Sequence, residues 1–336
     1  LTKALLPLLK NQLDETLSVT LVEKLNLPSR VQSLVDVHQP KDAKSLVRAQ
    51  KRLKFEEFFF LQLHLLKLKL TRNKKLKGYP FKNLGEEFNE FYNKNLPFEL
   101  TGAQKRVLKE IRNDVRNPQQ MNRLLQGDVG SGKTLVALLS MLMAVDNGYQ
   151  ACLMAPTEIL ARQHFVTISE YLESQNIKVA FLTGSSKTKE RRILHEQLEN
   201  GEIDILIGTH ALIEDKVKFQ NLAFVVIDEQ HRFGVAQRAK LWKKNKFPPH
   251  MLVMTATPIP RTLSMTLYGD LDVSVIDELP PGRKEVKTMW KTDSSRLQII
   301  NFIREQIALQ RQIYVVFPLI EESEKLDYKD LMEGYN

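Results

Sequence analysis

After Pro97, short apolar runs alternate with stretches of helical spacing, and this alternation dominates the 336-residue chain. Arg123–Gln126, Ala151–Ala155, Val179–Leu182, Ile205–Ile207, Phe224–Ile227 and Leu252–Met254 are short and apolar enough to predict buried parallel strands. Leu135–Val145, Ile159–Glu173 and Arg191–Asn200 predict helices between them. The pattern predicts an α/β fold, a doubly wound parallel sheet, ending near Leu279.

Upstream, leucine-rich helical patches are broken at Pro28 and Pro40, and Asp36–Pro40 predicts a loop. Ala43–Leu70 has no Gly or Pro, and Phe55, Phe58, Phe59, Leu66 and Leu70 recur at helical spacing. Leu61–Leu65 alternates like a strand, but the unbroken stretch is too long for one, so a single long helix is predicted. Its Phe and Leu stripe predicts packing against a neighbouring domain. Thr71–Lys82 is basic, carries Gly78 and Pro80, and predicts an exposed, mobile loop. Downstream, Pro280-Pro281-Gly282 signals a linker. A second alternation follows, with strands over Val286–Trp290 and Ile313–Phe317 and a helix over Ser294–Leu309. The expected organisation is a basic helical connector over 1–96, a nucleotide-binding domain over 97–279, and a linker with the start of a second domain over 280–336.

Charge sharpens this division. Residues 1–96 carry 18 Lys and Arg against 10 Asp and Glu, while the remainder carries 31 against 30. Nearly all of the +9 net charge therefore precedes the α/β region. Such a surplus suits a polyanion, most simply nucleic acid, although a solvated helical surface would carry it equally well. No apolar run approaches the length of a membrane span, and no leader pattern opens the chain. The single cysteine, Cys152, lies in an apolar run and predicts packing, and an internal disulfide is excluded. These features lead to the expectation of a cytoplasmic protein, and Leu1 in place of Met suggests a fragment.

The chemistry centres on Gly127-Asp128-Val129-Gly130-Ser131-Gly132-Lys133-Thr134, which fits the G-x-x-x-x-G-K-[ST] phosphate loop without a mismatch. Glycines let backbone amides approach a phosphate, Lys133 can reach β- and γ-phosphates, and Thr134 can offer its hydroxyl to Mg²⁺. ATP and Mg²⁺ are therefore the expected cofactors. About a hundred residues on, an apolar strand delivers Asp228 and Glu229. In phosphate-loop NTPases an Asp in this place holds Mg²⁺, and the adjacent Glu can polarise the attacking water. Lys133, Asp228 and Glu229 are thus the candidate catalytic residues, and Thr134 and Asp228 the candidate metal holders.

Asp228-Glu229-Gln230-His231, followed by Met254-Thr255-Ala256-Thr257-Pro258, resembles the helicase and translocase motifs of superfamily 2. That resemblance implies a RecA-like sheet. It further implies that Gln230, His231 and Thr255, Ala256 and Thr257 couple nucleotide state to nucleic-acid grip. Phe98–Gln104 resembles the family's adenine-reading segment, with Gln104 on the base edge and Phe98 beside the ring. Pro156, Thr157, Arg162 and Gln163, then Thr183 and Gly184, then Thr209 and His210, match its backbone-gripping positions on DNA.

The Ala155–His164 segment, Asp228–Val235, Thr255–Thr262, Val275–Arg283 and Pro318–Ser323 together look like the RecG family of branched-DNA helicases. The transcription-repair coupling translocases share Pro258–Thr262 and rank second. The RecG resemblance implies an ATP-driven duplex-DNA motor acting at forks and junctions, most simply a monomer, with single-strand-binding protein as a family partner. The family's wedge domain and its arginine-bearing second-domain motif have no counterpart in these residues. The expectation is therefore weak nucleotide binding and almost no DNA-stimulated hydrolysis by this span alone. A non-motor phosphate-loop switch or kinase is the competing class, disfavoured by Gln104 and Thr255–Thr257. An RNA helicase of the same superfamily is harder to separate by motif.

Overall fold

The computed structural model describes residues 13–75, 77–229, 241, 244–245, 247–257, 271–278 and 286–316. The chain divides into two compact units, Leu1–Pro281 and Gly282–Asn336. In the first, α1 (Val19–Lys24), α2 (Arg30–His38) and the 33-residue α3 (Ala43–Lys75) precede the sheet. Next come α4 (Glu86–Glu90), a π-helical turn over Phe91–Asn95, and α5 (Gly102–Val115). The sheet region then alternates as predicted. It runs β1 (Asn122–Gly127), α6 (Lys133–Val145), β2 (Gln150–Met154), α7 (Glu158–Tyr171), β3 (Val179–Leu182) and α8 (Thr188–Glu199). It continues with β4 (Ile205–Gly208), β5 (Leu222–Asp228), β6 (His250–Thr255) and β7 (Asp272–Ile276).

The seven strands stand in the order β3-β4-β2-β5-β6-β1-β7, every pairing parallel. Strands covered by helices on both faces must be apolar throughout, and β1, β2, β4, β5 and β6 are buried at every residue. One apolar cluster joins α5 and α6 to β1, β2 and β5, and a second fills the other face around Cys152, Leu206, Val225 and Val253. Burial of Cys152 pushes its thiol up to about 12, so it is a packing residue. Gly208 is forced by close approach, because a Cβ there would lie 1.9 Å from the Leu182 carbonyl oxygen.

The structure differs from the sequence reading at four places. β7 carries no strand signal in the sequence; it is a five-residue edge strand whose Asp272 and Ser274 interrupt the apolar run. Asp36–His38 belongs to α2, which Ser29 caps through a bond from the Gln32 amide, so only the Gln39-Pro40 end is irregular. Thr71–Lys82 is not an exposed loop: α3 continues to Lys75, and 77–82 is tied to α5 and the loop that follows it. Gly78 N–H donates to Pro118 O at 2.7 Å and Phe81 N–H to Val115 O at 2.8 Å, and Arg112 donates to Phe81 O and Lys82 O. Phe81 is fully buried between Tyr149, Phe224 and His250, so one aromatic anchor overrides the loop-like Gly and Pro.

The fourth difference lies in the second unit. A helix, α9 (Arg296–Ala308), occupies the expected place, but 286–290 and 313–316 are not strands. An extended run becomes a strand only when another strand takes up its backbone groups, and no strand flanks either run among the described residues. Val286, Trp290, Tyr314 and Val316 stand exposed. Gln230 and His231, the Pro258–Thr262 stretch, the Pro280–Gly282 linker signal and Pro318–Ser323 lie outside the described residues.

Candidate functional site

In a parallel sheet every strand ends on the same edge, and the candidate residues emerge there. Gly127 closes β1, and Lys133 opens α6 six residues later, so the helix points its unbonded first N–H groups at the loop. Gly130 and Gly132 hold φ of 77° and 83°, the left-handed region that favours glycine. A Cβ on Gly127 would stand 2.5 Å from Ser131 Oγ, so the tight curl depends on its absence. Lys133 Nζ donates to Gly127 O at 2.8 Å and Asp128 O at 2.9 Å, folding the ammonium over its own loop. Burial pushes the Lys133 pKa down, while the carboxylates of Asp228, Glu229 and Asp128 pull it back. Val129 at the loop tip is exposed, and Thr134 is half-buried behind Lys133.

Two strands away, Asp228 closes β5 and is 9% exposed. Glu229 takes the left-handed conformation at φ 51°, which costs a residue with a Cβ about 1–2 kcal/mol. Its amide donates to Met254 O at 3.0 Å, and its Oε1 accepts the Ala256 N–H at 3.2 Å. The turn therefore lays the Glu229 carboxylate on the segment after β6, the strand between β5 and β1. Within that segment Thr255 Oγ1 and Thr257 Oγ1 are 2.8 Å apart, and Thr257 N–H donates to Thr255 Oγ1 at 3.2 Å.

Gln104 is fully buried in α5. Its Oε1 accepts the Thr101 N–H at 2.9 Å in a capping box, and its Nε2 donates to Ser131 O at 2.8 Å. The amide thus braces the phosphate loop, with one N–H and one lone pair beyond these two bonds. Phe98 stands half-exposed ahead of the helix. Two carboxylates in the Val275–Arg283 segment, to which sequence reasoning assigns no role of their own, hold α5 to the end of β7. Glu278 Oε2 accepts the Ala103 N–H at 3.0 Å, and Arg106 donates to Asp277 Oδ1 at 2.7 Å.

The other half of the edge, after β2, β4 and β3, carries the remaining candidates. Pro156 and Thr157 follow β2, and the Thr157 hydroxyl is spent on capping α7 through Leu160 N–H. Arg162 is exposed, 3.5 Å from Glu158, with its guanidinium 5.0 Å from the Phe181 ring centroid, and Gln163 is exposed beside it. Thr183 and Thr209 are buried as whole residues, while Gly184 and His210 are exposed. His164, to which the motifs assign no role of its own, joins the two halves. Its Nε2 lies 2.8 Å from Asp228 Oδ2. The available signal is periodicity: His164 follows buried Ala161 by three and faces the sheet with it.

The donor set fits the expected cofactors. A glycine loop with inward amides at a helix N-terminus suits a polyphosphate. A carboxylate and a hydroxyl are hard oxygen donors of the kind Mg²⁺ takes alongside phosphate. Among the described residues no three His, Cys, Asp or Glu could hold a metal by themselves, and none of the helices is long and apolar enough to cross a membrane.

Comparison with known proteins agrees with this geometry. Residues 101–266 match the DEAD/DEAH box helicase family. The ATP-dependent DNA helicase RecG of Synechocystis sp. is 49% identical over 324 residues, covering 96% of this chain and 39% of that relative. RecG of Bacillus subtilis is 47% identical over 326 residues, covering 97% of this chain and 48% of that relative. A solved structure of RecG bound to a three-way DNA junction superposes with a TM-score of 0.77 at 44% identity, covering 92% of this chain and 41% of the other. The chain spans less than half the length of these relatives, and over that span its sequence and its RecA-like sheet belong to the RecG family.

Proposed function

We propose that this chain carries the first motor domain of an ATP-dependent DNA helicase that remodels forks and junctions. The observation that carries the proposal is the bond from Ala256 N–H to Glu229 Oε1. It joins the residue suited to activating water to a segment suited to sensing nucleic acid. The loop amides and Lys133 hold the triphosphate, with Lys133 exchanging its loop carbonyls for phosphate oxygens. Thr134 and Asp228 hold Mg²⁺, which supplies charge neutralisation on the phosphates. Glu229 accepts the proton of the attacking water. Gln104 reads the adenine edge beside Phe98. The half of the edge with Pro156, Thr157, Arg162, Gln163, Thr183, Gly184, Thr209 and His210 grips the DNA backbone, and Gln230 and His231 complete the coupling. The domain limits are 1–96 for the basic connector, 97–279 for the motor and 280–336 for the approach to a second RecA-like domain. The protein acts in the cytoplasm as a monomer, with single-strand-binding protein as a partner.

The test is phosphate release by the complete protein with forked DNA, with duplex RNA and with no nucleic acid. Fork-dependent turnover is expected, reduced on the order of 10²–10³-fold by Lys133→Ala, which removes a preorganised cation from the developing charge. Turnover indifferent to the fork would favour a non-motor NTPase. Equal stimulation by RNA would favour an RNA helicase.

A further inference from the structure

The hydrogen bond between His164 and Asp228 has no part in the chemistry above. A carboxylate oxygen only accepts, so His164 Nε2 carries the proton and donates it to Asp228 Oδ2 at 2.8 Å. The two side chains are 12% and 13% exposed, and at such a half-dry boundary a charge-assisted bond is stronger than in water. The bond engages one carboxylate oxygen, Oδ2, and not the other. It also crosses the boundary between the two halves of the edge. His164 stands on α7, whose opening turns carry Thr157, Arg162 and Gln163, whereas Asp228 ends β5.

We propose that His164 is the positioning residue of the metal-holding carboxylate and the mechanical tie between the strand-gripping helix and the ATP site. The proposal rests on the reading of Asp228 as the Mg²⁺ holder. Without His164, nothing described fixes the Asp228 carboxylate about its last torsion, and the Lys133 ammonium, whose charge it already feels, draws it toward the loop. With His164 in place, a shift of α7 on DNA moves the carboxylate, and a carboxylate fixed by metal resists a shift of α7.

The test uses Mn²⁺ as the probe, read by electron paramagnetic resonance on the complete protein with a non-hydrolysable ATP analogue. Wild type, His164→Ala, His164→Asn and His164→Gln are compared, with folding checked by circular dichroism. Loss of a residue that orients a metal ligand typically costs about 10–100-fold in metal affinity, which is the loss expected for Ala. Asn is too short to reach Asp228 and should match Ala, whereas Gln can reach and should restore affinity to within about threefold. Metal-free affinity for the analogue should be unchanged in all four proteins, which a merely structural role would not predict. Forked DNA should strengthen Mn²⁺ binding in wild type and Gln and leave Ala and Asn unmoved. Unchanged Mn²⁺ affinity in a folded Ala variant would overturn the proposal while leaving the ATP-site reading intact. Absence of Mn²⁺–nucleotide binding by the wild type would instead overturn the reading on which it rests.

Discussion

His250 gives the structure a measurable pH dependence. It opens β6 fully buried, with Nδ1 accepting the Met121 N–H at 2.9 Å and Nε2–H donating to Tyr79 O at 2.6 Å. The Phe81 ring stands edge-on at 4.9 Å. A second ring proton would point at the Met121 N–H, donor against donor. Burial accordingly pushes the His250 pKa down from 6.5 to about 4, only partly opposed by the bond to Tyr79. Because the folded pKa is the lower one, the unfolded chain takes up the proton first as pH falls. The stability contribution is therefore whole above about pH 6.5, declines toward pH 4, and changes no further below it. Its full size is about 3 kcal/mol, and about 2 kcal/mol is already lost at roughly pH 5. Asp114 and Asp204, whose pKa values burial raises, titrate in the opposite sense, so absolute stabilities are insufficient. The assay is urea unfolding at roughly pH 7.5 and pH 5 for wild type and His250→Gln, which keeps a donor for Tyr79 O and cannot titrate in this range. Wild type should lose about 2 kcal/mol more than the variant between the two conditions. Equal losses would refute the reasoning.

Two further outcomes follow from the candidate site and the basic helix. Glu229→Gln keeps the shape and the Ala256 bond but removes the base, so ATP and DNA binding should survive in equilibrium titrations while turnover falls to background; loss of ATP binding instead would mean that Asp228 and Glu229 have exchanged roles. Arg48, Lys51 and Lys54 stand exposed along α3, and replacing all three with Gln should flatten the salt dependence of DNA affinity by about 0.9 log units per lost phosphate contact, an unchanged slope assigning that charge to solvation.

The parallel sheet was legible because burial on both faces leaves a simple mark, an apolar run between helical stretches. Six strands carry that mark. β7 does not, because Asp272 and Ser274 interrupt its apolar positions, and its pairing partner β1 lies some 150 residues earlier. Phe81 shows the opposite failure. Local composition around Gly78 and Pro80 marks irregular backbone correctly, and says nothing of the aromatic pocket that holds it. In the site, spacing reveals chemistry carried within one segment, as in Gly127–Thr134. It misses chemistry made between segments: His164 with Asp228, Gln104 with Ser131, and Glu278 with Ala103. Val286–Trp290 and Ile313–Val316 show that an apolar run alone does not make a strand.

The attachments of the N-terminal region have a directional consequence. Tyr79 O meets His250 at the first residue of β6, and Lys69 Nζ lies 2.5 Å from Asp272 at the first residue of β7. Phosphate loop, carboxylates and coupling segment all lie at the strands' last residues. About 20 Å of extended chain, six residues at roughly 3.3 Å each, separates the two rims along β6. Strands paired on both sides do not bend locally, so β6 and its neighbours act as struts. Work done at the rim with the loops reaches the basic helix only as displacement of the whole slab. The long helix is therefore a mount on the chassis of the engine, insulated from its valves. Under the proposed function, its charges would bear on where the protein stands on a polyanion, and the timing of each cycle would be set at the opposite rim.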